Sequence, residues 1–251
     1  MLIRRRAHQA IARLAPLIVA LVLWQWLCGS SPERRFFFSS PIDVLRVLWN
    51  RTADGSLISN AAITASEALV GFLLGNGLGA LLGLMLWIWR PVATIAKPYL
   101  VVLGAIPVFA IAPMTVIWFG VGYKAKVMLA FLATVFVAAH QAYRGAEQVD
   151  PLLVDRLKVF GATRTAVFRI LLVPASAAWV LSSLRLTGGL ALLGAFVGEF
   201  IAAEKGLGYF IVRAGSIYDS AGVLAGVIAI VLLALSLDYG VDVAQRKLIR
   251  W

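Results

Sequence analysis

Asp155-Arg156-Leu157-Lys158-Val159-Phe160-Gly161-Ala162-Thr163-Arg164-Thr165-Ala166-Val167-Phe168-Arg169-Ile170-Leu171-Leu172-Val173-Pro174 is the stretch on which the reading of this sequence turns. It closes a polar run, residues 144–174, that carries Arg144, Arg156, Lys158, Arg164 and Arg169 within a chain otherwise made of long apolar blocks. Glycine takes turn conformations without a Cβ clash and lets a partner surface come close. The stretch therefore reads as two short helices broken at Gly161. So polar a segment between apolar blocks belongs outside a membrane.

Working outward, apolar blocks fall at about 14–29, 62–88, 98–119, 125–143, 176–200 and 220–241. Crossing a hydrocarbon core of about 30 Å takes roughly 20 helical residues, so the expectation is an all-α protein with about six membrane spans in a single domain over 1–251. Composition agrees: 61% of residues are apolar and 14% charged, and the mean hydropathy is +0.90, values that exclude a soluble surface. Six crossings put both termini on one side. With the N-terminus inside, 14 basic residues lie inside and 8 outside, and Arg185 falls within a span. The positive-inside rule then places both termini and the loop at about 144–175 in the cytoplasm. Arg4 to Arg6 followed by the apolar run Leu14 to Leu27 has the outline of a signal peptide, but Gln25, Trp26 and Leu27 stand where cleavage needs small residues, so the run is kept as the first span.

The net charge of +11 is dispersed among loops and helix ends, which fits membrane topology and not nucleic acid. Cys28 is the single cysteine, so no internal disulfide or multi-cysteine metal site is expected. His8 and His140 are too far apart in sequence to suggest a metal motif.

Three further patterns mark the spans. Ser40, Pro41 and Asp43 have the spacing of a helix N-cap, a first-position proline and a first-turn acid, predicting a short helix at the outer membrane face. Gly71, Gly75, Gly79 and Gly83 recur every fourth residue and leave one helix face bare for three turns, for ordinary close packing or for an interface that moves during transport. Pro98, Pro107 and Pro113 disfavour a straight third span, and broken helices are tolerated at membrane depth where they line a cavity. Trp24, Trp26, Trp87, Trp89, Trp118 and Trp179 lie near span ends, as interfacial anchors do.

The opening stretch resembles the cytoplasmic coupling loop of importer permeases of the ATP-binding-cassette class, whose pattern is Glu-Ala-Ala, three residues, Gly, nine residues, Ile, one residue, Leu-Pro. Gly161 and Pro174 match at that spacing, Leu171 and Val173 replace Ile and Leu, and Asp155-Arg156-Leu157 departs from the opening triplet. Ser39 to Leu45, Ile106-Pro107, Pro113 to Gly122 and Gly198 to Gly208 narrow the likeness to the nitrate, sulfonate and taurine type, over about residues 36–251. Glu67 stands where that type usually carries arginine. The resemblance implies a type I importer permease (MetI-like) fold and a translocation subunit for a small anionic solute such as nitrate, sulfonate, taurine or bicarbonate, in the bacterial inner membrane. It further implies a second permease copy, two cytoplasmic ATPase subunits that hold the ATP and Mg, and an external solute-binding protein. In that frame Asp155, Gly161, Ala162, Thr163 and Pro174 are the expected ATPase-coupling residues.

No phosphate-binding Gly-x-x-x-x-Gly-Lys-Ser/Thr loop and no serine, histidine and acid arrangement stands out, so the chain is expected to be neither an ATPase nor another enzyme and to hold no cofactor. Glu67, Pro107, Pro113, Arg185 and Glu199 are the candidate translocation-path residues. Arg185 either snorkels or pairs structurally, or it attracts an anion in the pathway. Glu199, with Glu204, either forms a rim or pairs with Lys205 or Arg213, or it serves docking or an outer gate. An ion-gradient-driven transporter is the alternative function, since it too would use buried acids and broken helices.

Overall fold

A computed structural model describes the backbone of residues 2–248, and their side chains apart from residues 2–14, Leu17, Arg90 and Leu248. Arg4 to Arg6, His8, Arg13, Arg90 and Arg250 thus have side chains outside the described residues. The fold is all-helical among those residues: α1 Leu2–Gly29, α2 Pro32–Phe38, α3 Pro41–Ala53, α4 Ser56–Ile88, α5 Arg90–Gly104, α6 Val108–Phe119, α7 Tyr123–Glu147, α8 Pro151–Val159, α9 Arg164–Val167, α10 Val173–Ile201, α11 Leu207–Ser216 and α12 Ser220–Leu248. A π-helical turn, Phe168–Leu172, joins α9 to α10.

Among the described residues, four passages are long and apolar enough to cross a membrane: Ser56–Ile88, Tyr123–Glu147, Arg164–Ile201 and Ser220–Lys247. The bent pair α5 and α6 makes a fifth, and Ile18–Gly29 is a shorter apolar helix within the first expected span. The third span, expected as 98–119, is two helices meeting at 94°. Only Pro107 breaks it. It sits in extended backbone at φ −62°, ψ 126° as the N-cap of α6, while Pro98 and Pro113 remain inside helices. Proline disfavours the helical region for the residue before it, and Gly104 and Ala105 end α5 just upstream.

The polar loop also differs from expectation, because its second half is no separate helix. From Arg164 the chain runs without interruption into the fifth expected span, forming a 38-residue passage. Pro174 explains the π turn within it: proline lacks an N–H and its ring crowds the carbonyl four residues back, so the ladder widens by one residue just upstream.

The chain divides into two compact units, residues 1–59 with 210–229, and residues 60–209 with 230–251. In the first, the expected cap is present: Ser40 Oγ accepts from the Asp43 N–H at 3.2 Å and donates to its carboxylate at 2.8 Å, and Arg35 Nε and Nη2 each reach that carboxylate at 2.8 Å. Leu45 and Trp49 of α3 are 64% and 76% exposed, an apolar face suited to lipid. In the second unit α7 is the centre, with Ala125, Leu129, Ala130, Ala138, Ala139, Ala142 and Ala146 nearly inaccessible. The bare face of α4 lies on it. A Cβ at Gly79 would stand 2.8 Å from that of Ala138, and one at Gly83 2.8 Å from that of Ala142, while Gly71 and Gly75 abut Ala130 and Thr134. Gly194 of α10 closes on the other side, where a Cβ would meet the Ala130 Cα at 2.8 Å. Small residues on three helices let the backbones touch, which is how helices associate where lipid removes the hydrophobic drive.

Candidate functional site

Both halves of the polar loop are capped, and its inner face is packed against α4 and α7. Asp150 caps α8 by accepting from the Leu152 N–H at 2.9 Å, and Thr163 caps α9 by accepting from the Ala166 N–H at 3.3 Å. Val154, Val167 and Leu172 are buried against Ala146 of α7, with Leu84 and Trp87 of α4 and Ala162 and Phe168 packed around them. Between the caps Gly161 holds φ +81°, a left-handed backbone that other residues adopt at a cost, and a Cβ there would meet nothing within 4 Å. Val159 and Phe160 beside it are 86% and 87% exposed. They form an exposed apolar patch on an otherwise basic loop.

Asp155 is exposed on α8, where it pairs with Lys158 at 3.1 Å. Pro174 lies at the start of α10, above the π turn. The structure thus brings Gly161, Ala162 and Thr163 together at the break, with Asp155 one turn back and Pro174 at the root of the following span.

The candidate path residues do not converge on one place. Glu67 and Glu199 do meet, 3% and 1% exposed. Glu199 accepts the Thr64 O–H at 2.6 Å and the Gly208 N–H at 2.6 Å, bonds that bind α4, α10 and the start of α11 into one polar knot. The Gly206 N–H donates to Asn60 Oδ1 at 2.7 Å and the Leu207 N–H to Thr64 Oγ1 at 2.9 Å, which completes it. Arg185 lies apart, 2.9 Å from Asp238 and 2.8 Å from Asp242 of α12. Pro107 lines a small apolar cavity of about 220 Å³ with Leu103, Ile111, Phe136 and Leu193, and Pro113 sits in α6 beside buried Ala112 and Thr115. Asn60, Thr64 and Lys126 escaped the sequence reading. Only a polar residue at four-residue spacing along α4, Asn60, Thr64 and then Glu67 one short of the next turn, could have marked them.

The frame is thus a set of apolar helices of membrane-spanning length with a capped basic loop between α7 and α10. Residues 75–250 match the binding-protein-dependent transport system inner membrane component, and the chain belongs to that family. A probable ABC transporter permease protein of Haemophilus influenzae is 29% identical, over 92% of this chain and 95% of that one. A putative aliphatic sulfonates transport permease of Bacillus subtilis is 27% identical, over 93% and 84%, and a formylaminopyrimidine transport permease of Halalkalibacterium halodurans is 29% identical, over 98% of each. Among solved structures, an inward-facing MetNI methionine ABC transporter chain superposes with a TM-score of 0.69 at 17% identity, covering 79% of this chain and 99% of that one. The fold is therefore that of an ABC importer permease, and the chain is an inner-membrane transport component.

Proposed function

We propose that this chain is the translocation subunit of an ATP-driven importer, working as a pair of copies with cytoplasmic ATPase subunits on one face and a solute-binding protein on the other. The observation that carries this is the loop tip at Val159, Phe160 and Gly161, exposed and apolar yet held by caps and a buried cluster. Such a tip transmits a push to α10, because the loop continues into that span through an unbroken helix. ATP and Mg belong to the partner subunits, the chain itself binds no cofactor, and both termini and the loop face the cytoplasm. An ion-gradient carrier would leave this loop without a task.

A small anion of the sulfonate class is the solute we favour, in line with the sulfonate permease among the relatives. A neutral heterocycle is the second reading. It is favoured by the pairing of Arg185 with two aspartates, and one relative is a formylaminopyrimidine permease. The test is reconstitution in proteoliposomes with the ATPase that co-purifies with the chain from its native membrane and a solute-binding protein from the same organism. ATP-dependent uptake of an aliphatic sulfonate, abolished when the ATPase is omitted, is the expected result; uptake that persists on an ion gradient without ATP overturns the assignment, and uptake of a pyrimidine alone selects the second solute.

A further inference from the structure

Glu67 on α4, Lys126 on α7 and Glu199 on α10 are 3%, 4% and 1% exposed, at one place in the bundle. The Glu67 carboxyl lies within hydrogen-bonding reach of that of Glu199, and its Oε2 is buried without a partner. Ionised carboxylates are acceptors only, so two of them in contact have no bond to share unless a hydrogen sits on one. Lys126 is the cation that faces both, its stem lying on Gly198. Among the described residues it closes an ion pair with neither acid. Two carboxylates against one ammonium leave a negative charge in a low-dielectric bundle, where it is costly.

We propose that Glu67 and Glu199 form a proton-binding pair, one hydrogen held between the two carboxyls, and that this proton latches the turn at 202–206, with the first two residues of α11, onto α4 and α10. The hydrogen supplies the missing donor to the unpartnered side of the pair and brings two acids and one lysine to neutrality. Glu199 is the fixed member, tied by Thr64 and by the Gly208 N–H. The turn rests directly on it: Gly206 has φ +110° and lies against the Glu199 carboxyl, and a Cβ at Gly208 would stand 2.8 Å from the Glu199 Cβ. When the proton leaves for bulk water, two like charges in contact drive Glu67 and Glu199 apart. Separation pulls Thr64, one turn from Glu67, off the Leu207 N–H and the turn loosens.

Infrared difference spectroscopy of the full chain in lipid nanodiscs tests the proton without any transport assay, so its failure is separable from failure of the importer reading. The spectrum of wild type minus Glu67→Gln at neutral pH is expected to show the loss of one carboxylic C=O stretch, shifted in heavy water, with the carboxylate bands unchanged. Loss of a carboxylate band instead, with no carboxylic band, overturns the proposal. Should Glu67→Gln fail to insert, Glu199→Gln reads the same difference. The latch is read by amide exchange of residues 206–208: protection, corrected for intrinsic rate, is expected to fall at least about tenfold in wild type at alkaline pH and to persist in Glu67→Gln. Equal protection in both proteins at every pH overturns the latch.

Discussion

Gly161 combines two properties that separate at the bench. Its φ of +81° makes any side chain strain the turn, by about 1–2 kcal/mol, while the open space around it means that no neighbour in this chain is displaced. Gly161→Leu should therefore insert normally yet lose ATPase association in pull-downs and solute uptake, both normalised to permease in the membrane; wild-type values for both would remove the loop from the coupling role. Gly161→Ala separates the causes, because it carries the strain with little bulk and should lose about tenfold or less. At Asp43 the argument is electrostatic. Hydrogen bonds from Arg35, then from Ser40, with the nearby charges of Arg35 and Arg46, hold its carboxyl down at about 2. A depressed folded-state value means that its stabilisation is complete above the ordinary carboxylate range and is lost as pH falls from about 4 towards 2. Protection of the Val44 N–H, which is bonded to the Ser40 carbonyl at 3.0 Å, should fall over that window in wild type once exchange is corrected for its intrinsic rate. Asp43→Ala should show the lower protection already at pH 7, a loss of about 1 kcal/mol.

Between elements, the α4 and α7 contact makes a sharp contrast within one helix. Gly79 has the Ala138 Cβ and α7 backbone in the space a side chain would need, whereas a Cβ at Gly77 meets nothing within 4 Å. Gly79→Val should lower thermal stability in detergent by about 1–3 kcal/mol or abolish accumulation, and Gly77→Ala should do neither; equal tolerance of both would mean the helices do not touch there. The four-residue glycine spacing made this face legible in sequence, though not which helix would cover it, since Ala130, Ala138 and Ala142 are unremarkable in an alanine-rich span. The N-cap at Ser40 and the break at Gly161 were equally legible, being local backbone chemistry. What sequence hid was long-range pairing. Arg185 was open between snorkelling or a structural pair and an anion site, and its partners, Asp238 and Asp242, lie 53 and 57 residues away on α12. With two carboxylates on it, Arg185→Gln should lower membrane abundance and uptake in parallel; a selective loss of uptake would restore the anion role. Glu199 was likewise open as rim, ion pair or gate, and its bonds go to Thr64, 135 residues distant, and to the backbone at Gly208. Nor did three prolines in one block say which would bend it, because only Pro107 coincides with a helix end.

For the whole chain the open quantity is parity, and it hangs on that bend. If α5 and α6 together cross the membrane, the passages from α1 to α12 number six and the loop tip at Phe160 shares a side with both termini. If the 94° pair dips in and returns, the number is five, and every later loop changes sides. Charge argues for crossing: Arg144, Arg156, Lys158, Arg164 and Arg169 cluster around the tip, and cytoplasmic loops carry the excess of basic residues. The chain suits a direct measurement, since Cys28 is its single cysteine and is buried. With Cys28 replaced by alanine, single cysteines at Ala53 and at Phe160, both exposed, report the two faces to a membrane-impermeant maleimide. Ala53→Cys should label from outside in cells with a permeabilised outer membrane, and Phe160→Cys only in inverted vesicles. A third probe at Val121, 62% exposed just beyond α6, fixes the step at which parity is set: labelling on the Ala53 side means that α5 and α6 cross, and labelling on the Phe160 side means that α7 does not separate them. Outside labelling at Phe160 would make the pair re-entrant and put the loop tip beyond the reach of a cytoplasmic ATPase, so the same three cysteines that establish the topology also decide whether the coupling surface can meet its partner.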